Sequence, residues 1–85
     1  MLFHSKIIVT LRKSILDPQG KAVEHGTHSL GYTAVKNVRI GKFVELNVET
    51  ESKEEAERIT KEVSEKLLAN PVMEDFTFTV EKISR

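Results

Sequence analysis

Residues 5–12 read SKIIVTLR, and this stretch decides how the sequence folds. Ile7, Val9 and Leu11 alternate with the residues between them, and β-branched side chains are frequent. A period of two predicts a β-strand, because successive side chains of a strand point to opposite faces. The later elements must therefore cover at least one face of the sheet to which this strand belongs.

The next segment carries the signals of a helix start at Asp17-Pro18. An aspartate in the N-cap position accepts hydrogen bonds from free backbone amides, and a proline at the first helical position loses none. Apolar and small residues recur at spacings of three and four as far as Leu30, and Gly31 favours the positive φ that often follows a helix. A helix over residues 18–30 is predicted.

A hairpin is predicted next, with arms at residues 35–40 and 43–50 joined by Gly41-Lys42. A two-residue Gly-X loop is typical of a type II′ turn, but its register would place polar residues of the first arm beside apolar residues of the second. We therefore favour a loop longer by one residue, or a bulge. In that register Phe43 points away from the helices.

A second helix is predicted over residues 53–69, beginning at a capping box at residues 52–55 and ending before Pro71. In this box the serine hydroxyl and a glutamate carboxylate each satisfy a free amide. Residues 76–81 alternate again and predict a last strand. The apolar positions of the second helix form one stripe, which consists of Ala56, Ile59, Val63 and Leu67.

The predicted order β-α-β-β-α-β defines a single α+β domain over residues 1–85. In the ferredoxin-like arrangement, two helices cover one face of a four-stranded antiparallel sheet. The other face stays bare, with Ile8 and Phe43 among its residues. An open apolar face and unpaired edge strands predict that the chain associates with itself through Ile8 and Phe43, as a homodimer or a dimer of dimers.

Composition excludes several classes of function. The 85 residues suffice for one small domain, and 13 Lys and Arg balance 13 Asp and Glu, which argues against a non-specific grip on nucleic acid. The absence of cysteine excludes disulfides and thiolate chemistry. No apolar run approaches the roughly 20 residues of a membrane span, and no secretory signal is recognised, so we expect a soluble cytoplasmic protein.

No motif of the sequence predicts a catalytic, metal or phosphate site. His25 and His28 lie three residues apart on the first helix, but no further ligand at suitable spacing completes a metal site. Gly41-Lys42 lacks the glycine-rich pattern of a phosphate loop, and no serine has recognisable His and Asp partners. His4 is interpreted as a frayed terminal residue. These residues favour an interaction module over an enzyme.

The first turn of the first helix contains residues that capping does not explain. A glycine there costs roughly 0.5–1 kcal/mol relative to alanine, so Gly20 indicates the close approach of another backbone, from this chain or from a partner. Lys42 at the predicted hairpin tip offers an exposed cation. The partner interface predicted on this basis comprises Asp17, Gln19, Gly20, Arg39, Lys42 and Phe43.

Four stretches of the sequence resemble the PurS family, the small subunit of phosphoribosylformylglycinamidine (FGAM) synthase. They are LDPQGKAV at residues 16–23, HSLGY at residues 28–32, VRIGKF at residues 38–43 and KLLANPVMEDF at residues 66–76. One such stretch alone would be weak, but four in the same order are specific. The resemblance covers nearly the whole chain.

The resemblance implies a place in the conversion of formylglycinamide ribonucleotide, glutamine and ATP to FGAM, glutamate, ADP and phosphate. In such complexes the PurQ subunit releases ammonia from glutamine, and the PurL subunit uses ATP and Mg to activate the substrate amide. The PurS subunit is expected to be non-catalytic and to bind no cofactor. It is expected to dimerise, to hold PurQ against PurL and to assist ammonia transfer, with no nucleic acid or membrane as a partner.

Two other classes of function remain open from the residues. A ferredoxin-like domain can serve as a small-ligand or metal-sensing regulatory domain, because this fold hosts many functions. An RNA-binding module shares the topology, but residues 43–48 lack the aromatic pattern with which such modules stack bases.

Overall fold

The computed structural model describes residues 1–84 and shows, over that range, three strands and two helices. β1 spans Leu2–Leu11, α1 spans Pro18–Ser29, β2 spans Gly41–Glu49, α2 spans Lys53–Val63 and β3 spans Glu74–Ser84. A π-helical turn at Ser64–Leu68, the π segment, continues α2. Over the same residues, neither helix is long and apolar enough to cross a membrane. The α+β class is as predicted.

The strands form one antiparallel sheet in the order β2-β1-β3. β1 lies in the centre because its alternation supplies a deeply buried face: Phe3, Ile7 and Val9 are at most 2% exposed. In the register, Ile7 lies between Val44 of β2 and Phe78 of β3, and all three pack in one core cluster. β1, which contains most of the strand predicted at residues 5–12, therefore lies at the centre of the core.

α2 covers one face of this sheet. It begins at Ser52, whose Oγ accepts a hydrogen bond from the Glu55 amide at 3.1 Å, which confirms that half of the predicted capping box. The Glu55 carboxylate pairs with Arg58 one turn later, and this pairing holds the pKa of Glu55 below its ordinary value. Local side chains therefore fix where α2 starts.

Because of the π segment, the residues of the second helix that face the sheet differ from the predicted apolar stripe. Buried residues recur every four positions at Ala56, Thr60 and Ser64, which is wider than the α-helical repeat of 3.6. The wide turn, closed by a 2.9 Å bond from the Ala69 amide to the Ser64 carbonyl, keeps the buried face on the sheet. Leu67 is consequently turned outward and is 80% exposed, so its predicted burial is wrong.

The predicted first arm of the hairpin, residues 35–40, is not a strand, so over residues 1–84 the sheet has three strands and not four. Polar side chains of α1 and its N-cap bind the backbone of this segment and compete with strand pairing. The four-stranded ferredoxin-like prediction is not confirmed, and Gly41-Lys42 begins β2 instead of forming a tip. The competing bonds join His28 Nε2 to the Val35 carbonyl (2.7 Å), the Val38 amide to Glu24 Oε1 (3.3 Å) and the Ile40 amide to Asp17 Oδ2 (2.7 Å).

α1 confirms the predicted helix but not its predicted packing on the sheet. Its apolar side chains face outward, with Val23 45% exposed, and Leu30, which ends the helix, 77% exposed. The chain is accordingly elongated, with principal extents of 51, 27 and 14 Å. We call α1 together with residues 30–40 the arm.

The hydroxyl pair of Ser5 and Thr60 provides a test of how α2 is held on β1. Both residues are 0% exposed, and their hydroxyl oxygens lie 2.7 Å apart. Thr60→Val keeps the shape but leaves the buried Ser5 hydroxyl without this partner, so we expect a loss of about 1–3 kcal/mol in the free energy of unfolding.

Urea denaturation at a fixed protein concentration measures this loss. Combined Ser5→Ala and Thr60→Val should lose less than the sum of the two single losses, because the double variant leaves neither hydroxyl unpaired. Strictly additive losses would contradict the pairing.

Candidate functional site

The Asp17 carboxylate links two distant parts of the chain at the start of α1, and the residue is 6% exposed. Oδ1 accepts a hydrogen bond from the Gly20 amide at 2.9 Å, and Oδ2 accepts one from the Ile40 amide at 2.7 Å. These bonds, with a smaller contribution from the charge of Arg39, hold the pKa of Asp17 below its ordinary value. The carboxylate thus fixes α1 to the start of β2.

Gly20 lies against the backbone of residue 38. A Cβ atom at this position would overlap the Val38 carbonyl oxygen and would come within 2.9 Å of Asp17 Oδ2. The close approach predicted from the sequence therefore involves this chain's own backbone. Contact of Gly20 or Asp17 with a partner stays a prediction.

Gly20→Ala should destabilise the chain by about 1–3 kcal/mol, because overpacking against a backbone carbonyl cannot be relieved by rotating a side chain. The matched control is Lys21→Ala, which creates the same side chain at the exposed neighbouring position. Thermal unfolding compares the two variants with the parent chain. A Tm of Gly20→Ala equal to that of Lys21→Ala would refute the steric argument.

The two cations of the predicted interface bind backbone carbonyls of their own chain. Arg39 Nη2 donates to the Leu11 and Arg12 carbonyls at 2.8 and 2.9 Å. Lys42 Nζ donates to the Leu68 carbonyl at 3.1 Å, at the end of the π segment, where a helix favours a cation. Arg39 therefore ties the arm to the end of β1, and Lys42 ties β2 to the π segment.

The structure does not bring the six predicted interface residues onto one surface. Lys42 and Phe43 are consecutive residues of β2, so their side chains point to opposite faces of the sheet. Lys42 is exposed, as predicted, but its predicted place at a hairpin tip is wrong, because residues 35–40 form no strand and Lys42 lies within β2. The remaining four lie around the start of α1 and the end of the arm: Asp17, Gln19, Gly20 and Arg39.

Ile8 and Phe43 form an apolar pair on the sheet face opposite α2. They are direct cross-strand neighbours and are 51% and 60% exposed. Their placement is as predicted, although the reason differs: simple alternation along β2 directs Phe43 away from α2 without any hairpin. Two large exposed apolar side chains in one place mark a candidate interface.

His4 forms a polar cluster on the same sheet face, and sequence reasoning missed it. Nδ1 lies 2.7 Å from Asn47 Oδ1, and Nε2 lies 2.9 Å from Glu45 Oε2. Both partner atoms are acceptors, so they favour the doubly protonated ring and raise the pKa of His4, the bond to Asn47 most of all. The interpretation of His4 as a frayed terminus is wrong; only the register of β1 with β2 reveals the cluster.

The charge of His4 should make stability depend on pH. Because its pKa is raised in the folded chain, the contribution is complete below the unfolded pKa of about 6.5 and is lost as pH rises through the folded pKa. His4→Gln removes this contribution. Urea midpoints of the parent and the variant should therefore converge as pH rises from about 5.5 to about 8.5. A constant difference across that range would count against the charged cluster.

The histidines of α1 and the cleft beside them do not define a ligand site. His28 binds the Val35 carbonyl, and His25 is exposed. Across residues 1–84, no three His, Cys, Asp or Glu side chains are grouped as metal ligands. An open cleft of about 830 Å³ lies beside α1, and its mixed charge selects no single class of ligand. The charged lining residues are Lys13, Lys21 and Arg39 together with Asp17 and Glu24.

The fold, the polar clusters around Asp17 and His4 and the apolar pair of Ile8 and Phe43 together define a class of protein. It is a small α+β chain whose polar side chains bind its own backbone and whose large apolar residues are partly uncovered, which is the organisation of an interaction subunit. Comparison with known proteins gives the family: residues 4–82 match the family described as PurS, Phosphoribosylformylglycinamidine (FGAM) synthase. The chain belongs to the PurS family.

Individual relatives agree with this assignment. The FGAM synthase subunit PurS of Bacillus subtilis (strain 168) is 46% identical over 82 residues, which are 96% of each chain. A structure of B. subtilis PurS matches 94% of this chain and 99% of that chain with a TM-score of 0.83. The structure of PurLQS from Thermotoga maritima matches at 38% identity and a TM-score of 0.87, over 94% of this chain and 98% of that chain. The chain is a PurS subunit of FGAM synthase, an enzyme complex of purine biosynthesis.

Proposed function

We propose that this chain is the non-catalytic adaptor of FGAM synthase in the cytoplasm, where it bridges the glutaminase subunit PurQ and the ATP-dependent synthetase subunit PurL. The complex would convert formylglycinamide ribonucleotide, glutamine and ATP to FGAM, glutamate, ADP and phosphate. The supporting observation is the match to the T. maritima PurLQS structure, with a TM-score of 0.87 over 94% of this chain.

Ammonia transfer gives such an adaptor its physical purpose. Ammonia in neutral water is mostly protonated and then is no longer nucleophilic, so a route between two active sites must keep water out. PurL would use ATP and Mg, and this chain would fix the two larger subunits against each other. The bonds of Asp17 and Arg39 support that task, because they hold the arm in one position relative to the sheet.

The proposed contacts with PurL and PurQ use the exposed members of the predicted interface. Phe43 is the best candidate among these contact residues, because it is 60% exposed and aromatic residues are enriched in the buried centres of interfaces. Arg39 and Lys42 already donate hydrogen bonds to carbonyls of this chain. In the contacts with PurL and PurQ they would therefore contribute their positive charge and their shape. Gln19 is exposed on the first turn of α1 and completes the set.

A second copy of the chain is a further partner in this proposal, in a homodimer or a dimer of dimers. β2 and β3 are the outer strands of the sheet over residues 1–84, and outer strands present backbone groups to which another chain can pair. The apolar pair of Ile8 and Phe43 lies on the neighbouring open face. Most soluble homo-oligomers are two-fold dimers.

Reconstitution with purified PurL and PurQ tests the adaptor function. The chain alone should turn over neither glutamine nor ATP, and its addition should raise glutamine-dependent FGAM formation by PurL and PurQ. FGAM formation from added ammonia should respond much less, because free ammonia bypasses the transfer step. Full glutamine-dependent activity of PurL and PurQ without this chain would overturn the proposal.

Phe43→Ala should weaken complex formation about tenfold or more in the same assay. Leu67→Ala is the matched control, because Leu67 is 80% exposed and lies outside the proposed contacts. Equal binding by both variants would remove Phe43 from the interface and leave the adaptor function to be judged on the reconstitution.

A further inference from the structure

The arm is held together by its own contacts. Three side chains of α1 and its N-cap bind the backbone of residues 35–40 over distances of 2.7 to 3.3 Å, and they are Asp17, Glu24 and His28. Gly20 lies directly against the Val38 carbonyl, where a side chain would not fit. Residues 35–40 are therefore fixed to α1 along much of its length, so that the arm forms one rigid unit.

The arm is joined to the sheet at one narrow place. The chain leaves the sheet after Leu11 and returns to it at Gly41. Gly41 pairs with Thr10, so the two connections start side by side. Neither core cluster found in residues 1–84 includes a residue of the arm, and α1 does not pack on the sheet. The angle between the arm and the sheet is therefore set at these two connections.

Arg39 links the two connections to each other. Its Nη2 atom donates to the Leu11 carbonyl at 2.8 Å and to the Arg12 carbonyl at 2.9 Å. A guanidinium nitrogen of this kind carries two hydrogens, so it serves both carbonyls. The Arg12 carbonyl also accepts the Ile15 amide at 2.9 Å, in the turn that follows β1. Across the part of the chain that the structure describes, no other side chain of the arm binds the sheet through a hydrogen bond or an ion pair.

We infer that Arg39 is a positioning residue of FGAM synthase: its two hydrogen bonds set the angle between the arm and the sheet, and this angle sets how closely PurL and PurQ fit against each other. The inference rests on the proposed function and goes beyond the direct contact of Arg39 proposed there. The proposed contacts lie on both parts, with Gln19 on the arm and Phe43 on the sheet. A change of the angle therefore moves one group of contacts relative to the other.

A small rotation of the arm is enough to matter. α1 has 12 residues, so at 1.5 Å per residue it is about 18 Å long. A rotation of about 10° at its start moves its far end by about 3 Å. This displacement equals the diameter of a water molecule, which is about 2.8 Å. A gap of that size between the larger subunits would let ammonia escape and water enter.

The angle of the arm can be measured in the chain itself with spin labels. The sequence contains no cysteine, so Ser29→Cys at the far end of α1 and Glu57→Cys on α2 place two labels at exposed positions. Labelled chain diluted in unlabelled chain gives distances within one copy. Arg39→Ala in this background should broaden the distance distribution by about 3 Å or more, because the far end of α1 is then free to move by that amount.

Reconstitution with PurL and PurQ measures the consequence. The readout is the number of glutamate molecules released for each FGAM formed, at a concentration of chain that saturates the complex. This ratio should rise about twofold or more in Arg39→Ala, because ammonia escapes before it reaches PurL. FGAM formation from added ammonia should stay at the parent level. Lys21→Ala is the matched control and should keep the parent ratio, since it removes an exposed cation beside the same cleft but no bond to the sheet.

Arg39→Lys separates positioning from direct contact. A lysine ammonium can donate to both carbonyls, so this variant should keep the narrow distances and a ratio close to that of the parent. Narrow distances together with a raised ratio, in either variant, would assign Arg39 to a direct contact and overturn the inference. An unchanged ratio in Arg39→Ala would also overturn it. Failure of the parent chain to raise glutamine-dependent FGAM formation would instead overturn the proposed function, and the inference with it.

Discussion

The Asp17 carboxylate is the constraint on which the rest of the structure depends. Its two oxygens bind an amide inside α1 and the Ile40 amide 23 residues away, so that one group caps a helix and positions a strand. The residue is 6% exposed, and its bonds favour the ionised form that can accept from both amides. With the arm fixed there, residues 35–40 lie outside the sheet and β2 becomes an outer strand.

The apolar residues of the chain divide into two sets, one buried and one exposed. The first lies between β1 and α2 and is buried within the chain. The second is exposed: it comprises Ile8 and Phe43 on the open sheet face and Val23 and Leu30 on and beside α1. A chain of 85 residues has a thin core, so several of its large apolar residues stay exposed on the surface.

Sequence reasoning succeeded where the signal is local. The cap at Asp17, the cap at Ser52 and the alternation of β1 are all confirmed, because each depends on residues within a few positions of one another. It failed for residues 35–40, whose alternation fits a strand but whose backbone is bound by side chains of α1 and of its N-cap Asp17. It also failed for His4, whose two partners lie more than 40 residues along the chain.

The sequence by itself determined the α+β class, the starts of both helices, the central strand and, through four stretches, the resemblance to PurS. The tertiary structure decided that α1 does not pack on the sheet, that the sheet has three strands over residues 1–84, and that the Leu67 side chain is exposed. The physical reason is the same in each case. A periodic pattern shows which side of an element is apolar, but the surface that covers that side is set by contacts between residues far apart in the chain.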